Sequence, residues 1–149
     1  METTLGYELT KEVMATADTF LRESQRLFRP HGLTAAQFNV LSVLAASAGG
    51  LSQRELGDIL VVDRSNVTGL LDRLEKSGFV KRTDHPSDRR VYRVSLTAAG
   101  RKLWTKVQPR YLKVAGQVAA GLSEKQARET LAVLKSLQAG AVSWQLPGV

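Results

Sequence analysis

Arg64, Ser65, Asn66, Thr68 and Arg73 place, within one short stretch, the side-chain types that read the edges of base pairs. A guanidinium grips guanine O6 and N7 with two parallel donors, and a primary amide does the same at adenine N6 and N7. Hydroxyls bond bases or phosphates. On a helix these positions fall opposite Val67, Leu70, Leu71 and Leu74, an apolar stripe at i, i+3, i+4 and i+7. For a lone helix a solvated polar face would explain them; followed by a hairpin with basic flanks, they point to a groove. Gln53 stands at the head of the preceding helix, where backbone N–H groups suit a phosphate. Further on, Asp88, Arg89 and Arg90 lie beside a loop tip containing Pro86. A narrow minor groove concentrates negative potential and attracts an inserted Arg. Asp88 can hold Arg90 pointed; as a mere surface ion pair the two would contribute only about 0–1 kcal/mol. Gly69 is out of place, because a glycine inside a helix costs roughly 1 kcal/mol against Ala. It either permits close backbone approach or is a tolerated weakness.

The elements that must position these groups follow from periodicity and caps. Residues 7–28 read as a helix, broken by Pro30, His31 and Gly32. Thr34 and Gln37 form a capping box for the next helix, and Ser52 and Glu55 repeat it for a short one over 52–60. Asp63 can cap a helix over 64–77, stopped by Gly78. Two short helices joined by a few residues are the helix-turn-helix arrangement, whose second helix can enter the major groove. Val80–Thr83 and Val91–Leu96 then read as a hairpin, the wing. Thr97 caps a long helix over 98–119, which Pro109 is expected to kink. A third box, Ser123 with Gln126, opens a last helix carrying Leu131, Leu134 and Leu137. The expected fold class is mainly α, an α+β winged helix-turn-helix of about six helices with a two- or three-stranded wing.

Charge location agrees. Residues 51–110 hold 13 of the 21 Lys and Arg but 7 of the 14 Asp and Glu, so nearly all of the +7 net charge sits in one block. That is the footprint of a polyanion-binding surface. Cysteine is absent, which excludes disulfides, thiolate chemistry and cysteine-ligated metals, and fits a reducing cytoplasm. No apolar run is long enough for a signal peptide or a membrane span. His31 and His85, the only histidines, lie far apart, so neither a metal site nor a catalytic constellation is expected, and no cofactor.

The run Leu60-Val61-Val62-Asp63-Arg64-Ser65-Asn66-Val67-Thr68, then Leu70-Leu71-Asp72-Arg73-Leu74-Glu75-Lys76-Ser77-Gly78-Phe79-Val80, resembles the MarR family of transcriptional regulators. So do Pro86-Ser87-Asp88-Arg89-Arg90 before Val94-Ser95-Leu96-Thr97, and Leu33-Thr34-Ala35-Ala36-Gln37-Phe38. The resemblance covers about residues 7–140 and is specific over 33–100. It implies a homodimer of intertwined terminal helices that binds a pseudopalindromic operator on double-stranded DNA. It also implies repression, relieved by a small phenolic or aromatic effector. Arg64, Ser65, Asn66, Thr68 and Arg73 would lie in the major groove, and Arg90 would be the wing arginine. Gly69 departs from the larger polar residue expected in many relatives.

The chain is thus expected to be one MarR-type unit over 1–149, with a DNA-binding lobe at 33–100 and dimerisation helices at 5–30 and 101–146. The apolar residues of the ends, among them Leu5, Tyr7, Leu131, Leu134, Trp144 and Leu146, support a dimer, since a core ending near residue 100 does not need them. A single larger monomeric core is the alternative. The family's effector pocket lies between the dimer helices and the DNA-binding lobe; Phe20, Arg26, Phe28, His31, Phe38 and Tyr111 are the candidate liners here. Each aromatic is equally explained as ordinary core. The rival function is a winged helix that contacts proteins instead of DNA.

Overall fold

A computed structural model describes residues 3–60, 66–84 and 92–143. The chain divides into two compact units, Met1–Tyr111 and Leu112–Val149. The first holds α1 (Thr3–Phe28), a 3-10 turn (Arg29–His31), α2 (Ala35–Ala45), β1 (Leu51–Ser52), α3 (Gln53–Ile59), α4 (Val67–Lys76), β2 (Val80–Asp84), β3 (Tyr92–Leu96) and the start of α5 (Ala98–Val118). The second holds the rest of α5 and α6 (Glu124–Ser143). This is the expected winged helix-turn-helix: six α-helices among the described residues and a three-stranded antiparallel wing sheet.

Local grammar sets the helix starts. Thr34 accepts from the Gln37 N–H at 3.1 Å, and the Thr34 N–H donates to Gln37 Oε1 at 2.9 Å. Ser52 and Glu55 make the same reciprocal pair, at 3.2 and 2.7 Å, and Ser123 and Gln126 make it at 3.3 and 2.9 Å. All three boxes satisfy backbone donors that a helix start leaves unpaired.

The core of the first unit joins Phe28, Leu33, Phe38, Val40, Leu41 and Leu44 to Leu56, Leu60, Val67, Leu70, Leu71, Leu74, Val80, Val94 and Val107. Burying each such side chain contributes about 1.5–3 kcal/mol. The sheet order is β1-β3-β2, with Val94 of the middle strand opposite Leu51 on one side and Arg82 on the other. Gly50 lets β1 close on β3: it sits at φ 77°, and a Cβ there would fall 2.4 Å from the Val94 carbonyl oxygen.

Two boundaries differ from expectation. α1 begins at Thr3 rather than residue 7. α4 begins at Val67 rather than residue 64, with Asn66 as the N-cap at φ −119°, ψ 29°. Asn favours caps because its short amide competes with helical backbone bonds. Asp63, the expected cap, lies outside the described residues. Pro109 does not end α5, which runs on to Val118. The carbonyl it deprives of a partner belongs to exposed Thr105, where water can serve it. Trp144 and Leu146 also fall outside the described residues.

Thr97 ties α5 to the end of α4. Its hydroxyl accepts from the Gly100 N–H at 3.0 Å and donates to the Gly78 carbonyl at 2.6 Å, and its own N–H donates to the Phe79 carbonyl at 3.1 Å. The helix lies so close that a Cβ on Gly100 would stand 1.9 Å from the Phe79 oxygen. Gly100→Ala is therefore expected to lower stability by about 1–3 kcal/mol, the range of overpacked interiors. Urea unfolding checks this; an unchanged midpoint would refute the close packing.

Candidate nucleic-acid interface

Burial sets the direction of α4. Val67, Leu70, Leu71 and Leu74 are all buried, so Thr68, Asp72 and Arg73 are left on the exposed side. Asn66 heads the helix and is half-buried. Arg64 and Ser65, expected on the same face, lie outside the described residues, as do Asp88, Arg89 and Arg90 of the wing.

The structure brings two predicted residues of different helices together. Gln53 Nε2, at the start of α3, donates to Thr68 Oγ1 on α4 at 2.6 Å. This bond orients the Thr68 hydroxyl and ties the two helices at their exposed edge. Arg54 is exposed next to Gln53, and both line an open cleft with Gly57, Asp58 and Val67. Arg54 was missed by motif reading; its place in the first turn of a capped helix beside the polar face of α4 was the available signal. The Arg73 side chain is exposed and makes no hydrogen bond or ion pair among the described residues.

Arg82 of β2, one of the basic residues flanking the wing, bridges two carboxylates of α4. Its Nη2 donates to Asp72 Oδ1 at 2.6 Å and its Nη1 to Glu75 Oε2, while its backbone N–H donates to Glu75 Oε1 at 3.1 Å. The Arg82 side chain is only 21% exposed, so these charge-assisted bonds are partly shielded from water. The arrangement locks the base of the wing to α4. It also offsets one of the two negative charges that Asp72 and Glu75 place on α4.

Among the candidate effector residues, three aromatics converge. Phe28 and Phe38 stack with ring centroids 4.5 Å apart, and Tyr111 lies 5.6 Å from the first and 5.3 Å from the second. Phe28 and Phe38 are buried in the core. Phe20 is 54% exposed on α1, and Arg26 is engaged with Glu23 at 3.1 Å. His31 is half-buried, and its pKa is lowered by desolvation and then by the positive charges of Lys106 and Arg110.

Within this geometry the fold defines a winged helix-turn-helix protein whose second helix offers a polar face. Comparison with known proteins agrees. The sequence pattern of the MarR family matches residues 31–91. The HTH-type transcriptional regulator TtmR of Methylorubrum extorquens (strain PA1) is 37% identical over 145 residues, covering 96% of this chain and 74% of that protein. A crystal structure of a mutant MarR from E. coli complexed with operator DNA superposes with a TM-score of 0.79 at 27% identity, covering 87% of this chain and 93% of that one. CouR from Rhodococcus jostii RHA1, bound to p-coumaroyl-CoA, gives 0.78 at 26% identity, covering 91% and 95%. The chain belongs to the MarR family of transcriptional regulators. Among the described residues no helix is long and apolar enough to cross a membrane.

Two predictions follow from the ionic groups. Arg82→Met should cost about 1–3 kcal/mol, because hydrogen bonds to charged groups are lost and two carboxylates are left adjacent. A double-mutant cycle with Asp72→Asn should give a nonzero coupling energy in urea unfolding; strict additivity would argue against the bridge. For His31 the folded-state pKa is depressed, so the native protein binds fewer protons than the unfolded chain as pH falls through the ordinary imidazole range. Stability should therefore drop across that range on acidification, and His31→Gln should flatten the drop. A profile identical in both proteins would count against it.

Proposed function

We propose that this chain is a homodimeric repressor that binds a pseudopalindromic operator on double-stranded DNA and is released by a small phenolic or aromatic effector. The observation that carries this is the burial of the apolar stripe of α4, which turns Thr68 and Arg73 outward. In this reading Arg64, Ser65, Asn66, Thr68 and Arg73 enter the major groove. Gln53 steadies Thr68 and meets a phosphate. Arg89 and Arg90 reach the minor groove, with Asp88 steadying Arg90. The E. coli relative seen with operator DNA supports this use of the fold.

The dimer rests on apolar side chains without cover. Leu5 and Tyr7 of α1 are 56% and 66% exposed, and Leu131 and Leu134 of α6 are 58% and 43% exposed. A second copy is the economical partner for such faces. In this reading the helices within 5–30 and 101–146 dimerise, and 33–100 form the DNA-binding lobe.

An effector response has its own support. The Phe28, Phe38 and Tyr111 rings form one cluster, and the positive charges of Lys106 and Arg110 are felt at His31, features that suit a phenolic or aromatic ligand. A ligand there acts by favouring a dimer state whose recognition helices no longer match the operator. Titration of phenolic acids against operator affinity tests it; no response across a broad panel would remove that part of the reading.

Operator binding by a dimer with several phosphate contacts should weaken roughly 10³–10⁵-fold between 50 and 200 mM salt. Asn66→Ala should lower discrimination at particular base pairs by about 1–3 kcal/mol. Arg90→Ala should weaken binding evenly and flatten the salt slope by about one unit. Fluorescence anisotropy with selected duplexes measures all three. Absence of DNA binding at low salt would instead favour a winged helix that contacts proteins.

A further inference from the structure

The first turn of α4 contains an unusual contact. Asn66 is the N-cap residue, yet its side chain makes no capping hydrogen bond. Instead its amide lies over Gly69, one turn along. A Cβ built on Gly69 would stand 2.4 Å from Asn66 Oδ1, 3.3 Å from Cγ and 3.5 Å from Nδ2. The shortest of these is far inside van der Waals contact, so any residue other than glycine must displace the amide.

The atom displaced is the tip of a short side chain, not backbone, so the contact is relieved by moving the amide rather than the helix. Alanine is also the better helix former. A substitution at Gly69 therefore leaves the fold intact and changes where the Asn66 amide points. A bidentate amide contact to adenine needs both amide atoms at defined positions, which makes it sensitive to that change.

We propose that Gly69 is a specificity-determining position: by lacking a Cβ it lets the Asn66 amide lie back over the first turn of α4, and so sets the base preference that Asn66 reads. Gly69 is a positioning residue, touching no base itself. The inference rests on the operator-binding reading above.

The test is selection of bound duplexes from random DNA by the full-length wild type, Gly69→Ala, Asn66→Ala and the double variant. Affinities for single-base-pair operator variants are then measured. Asn66→Ala should relax preference at its base pairs roughly five- to a hundredfold, the span of one bidentate contact. Gly69→Ala should change preference at those same base pairs by about threefold or more, a part of that span. Its helix content by circular dichroism and its salt slope should match the wild type, since no phosphate contact is lost. In the double variant the effect of Gly69→Ala should vanish, because the amide it moves is gone. Wild-type discrimination by Gly69→Ala, a change at other base pairs, or an effect that persists without Asn66 would each overturn the assignment to Gly69 alone. A wild type that selects no sequence would overturn the operator-binding reading with it.

Discussion

The burial of Val67, Leu70, Leu71 and Leu74 is the constraint on which the rest of the interface depends. Each of these side chains gains about 1.5–3 kcal/mol on leaving water. Together they outweigh the local weaknesses of α4: a cap without a side-chain bond, worth about 1 kcal/mol, and an interior glycine of similar cost. Tertiary packing, not helix propensity, therefore holds the helix and fixes its rotation. Once the rotation is fixed, the outward positions are fixed too, and their chemistry is free to vary without touching the core.

The Arg82 bridge extends that constraint to the wing. β2 follows α4 after Ser77, Gly78 and Phe79, and β3 pairs along it from Val80 opposite Leu96 to Asp84 opposite Tyr92. The bonds from Arg82 to Asp72 and Glu75 fasten this strand to the helix through two side chains one turn apart. Gln53 fastens the helix nearer its N-terminus through Thr68. The proposed operator binding needs α4 and the wing held in fixed relation, because misplacing one wastes the contacts of the other.

Much of this was legible in the sequence, for a physical reason. The three capping boxes, the stripe of α4 and the turn after it are local signals whose partners lie within a few residues. Their chemistry does not wait for the fold. The two-residue strand β1 was too short to announce itself, and Ser52 hid it by reading as a cap, which it also is. The start of α4 was read three residues early because Asp63 and Asn66 are both good cap types and sequence alone does not choose between them. Arg82 was the larger omission. Its carboxylate partners lie seven and ten residues back, across a turn, and only the folded chain shows that a strand arginine meets them. The stacking of Phe28 on Phe38 likewise joins two helices that periodicity treats separately.

The first turn of α4 illustrates where local consistency breaks down and why. It has no acidic residue to complement the helix dipole, no side-chain cap bond, and a glycine at its third position. A helix selected for stability alone would carry a capping serine or aspartate and an alanine there. Natural chains depart from local rules chiefly where a site requires it, and the proposed operator contacts lie at this end of α4. An acidic first turn would repel phosphates. The same turn therefore cannot be optimised both for helix stability and for reading a polyanion. The buried stripe three and four residues along is what makes the second choice tolerable.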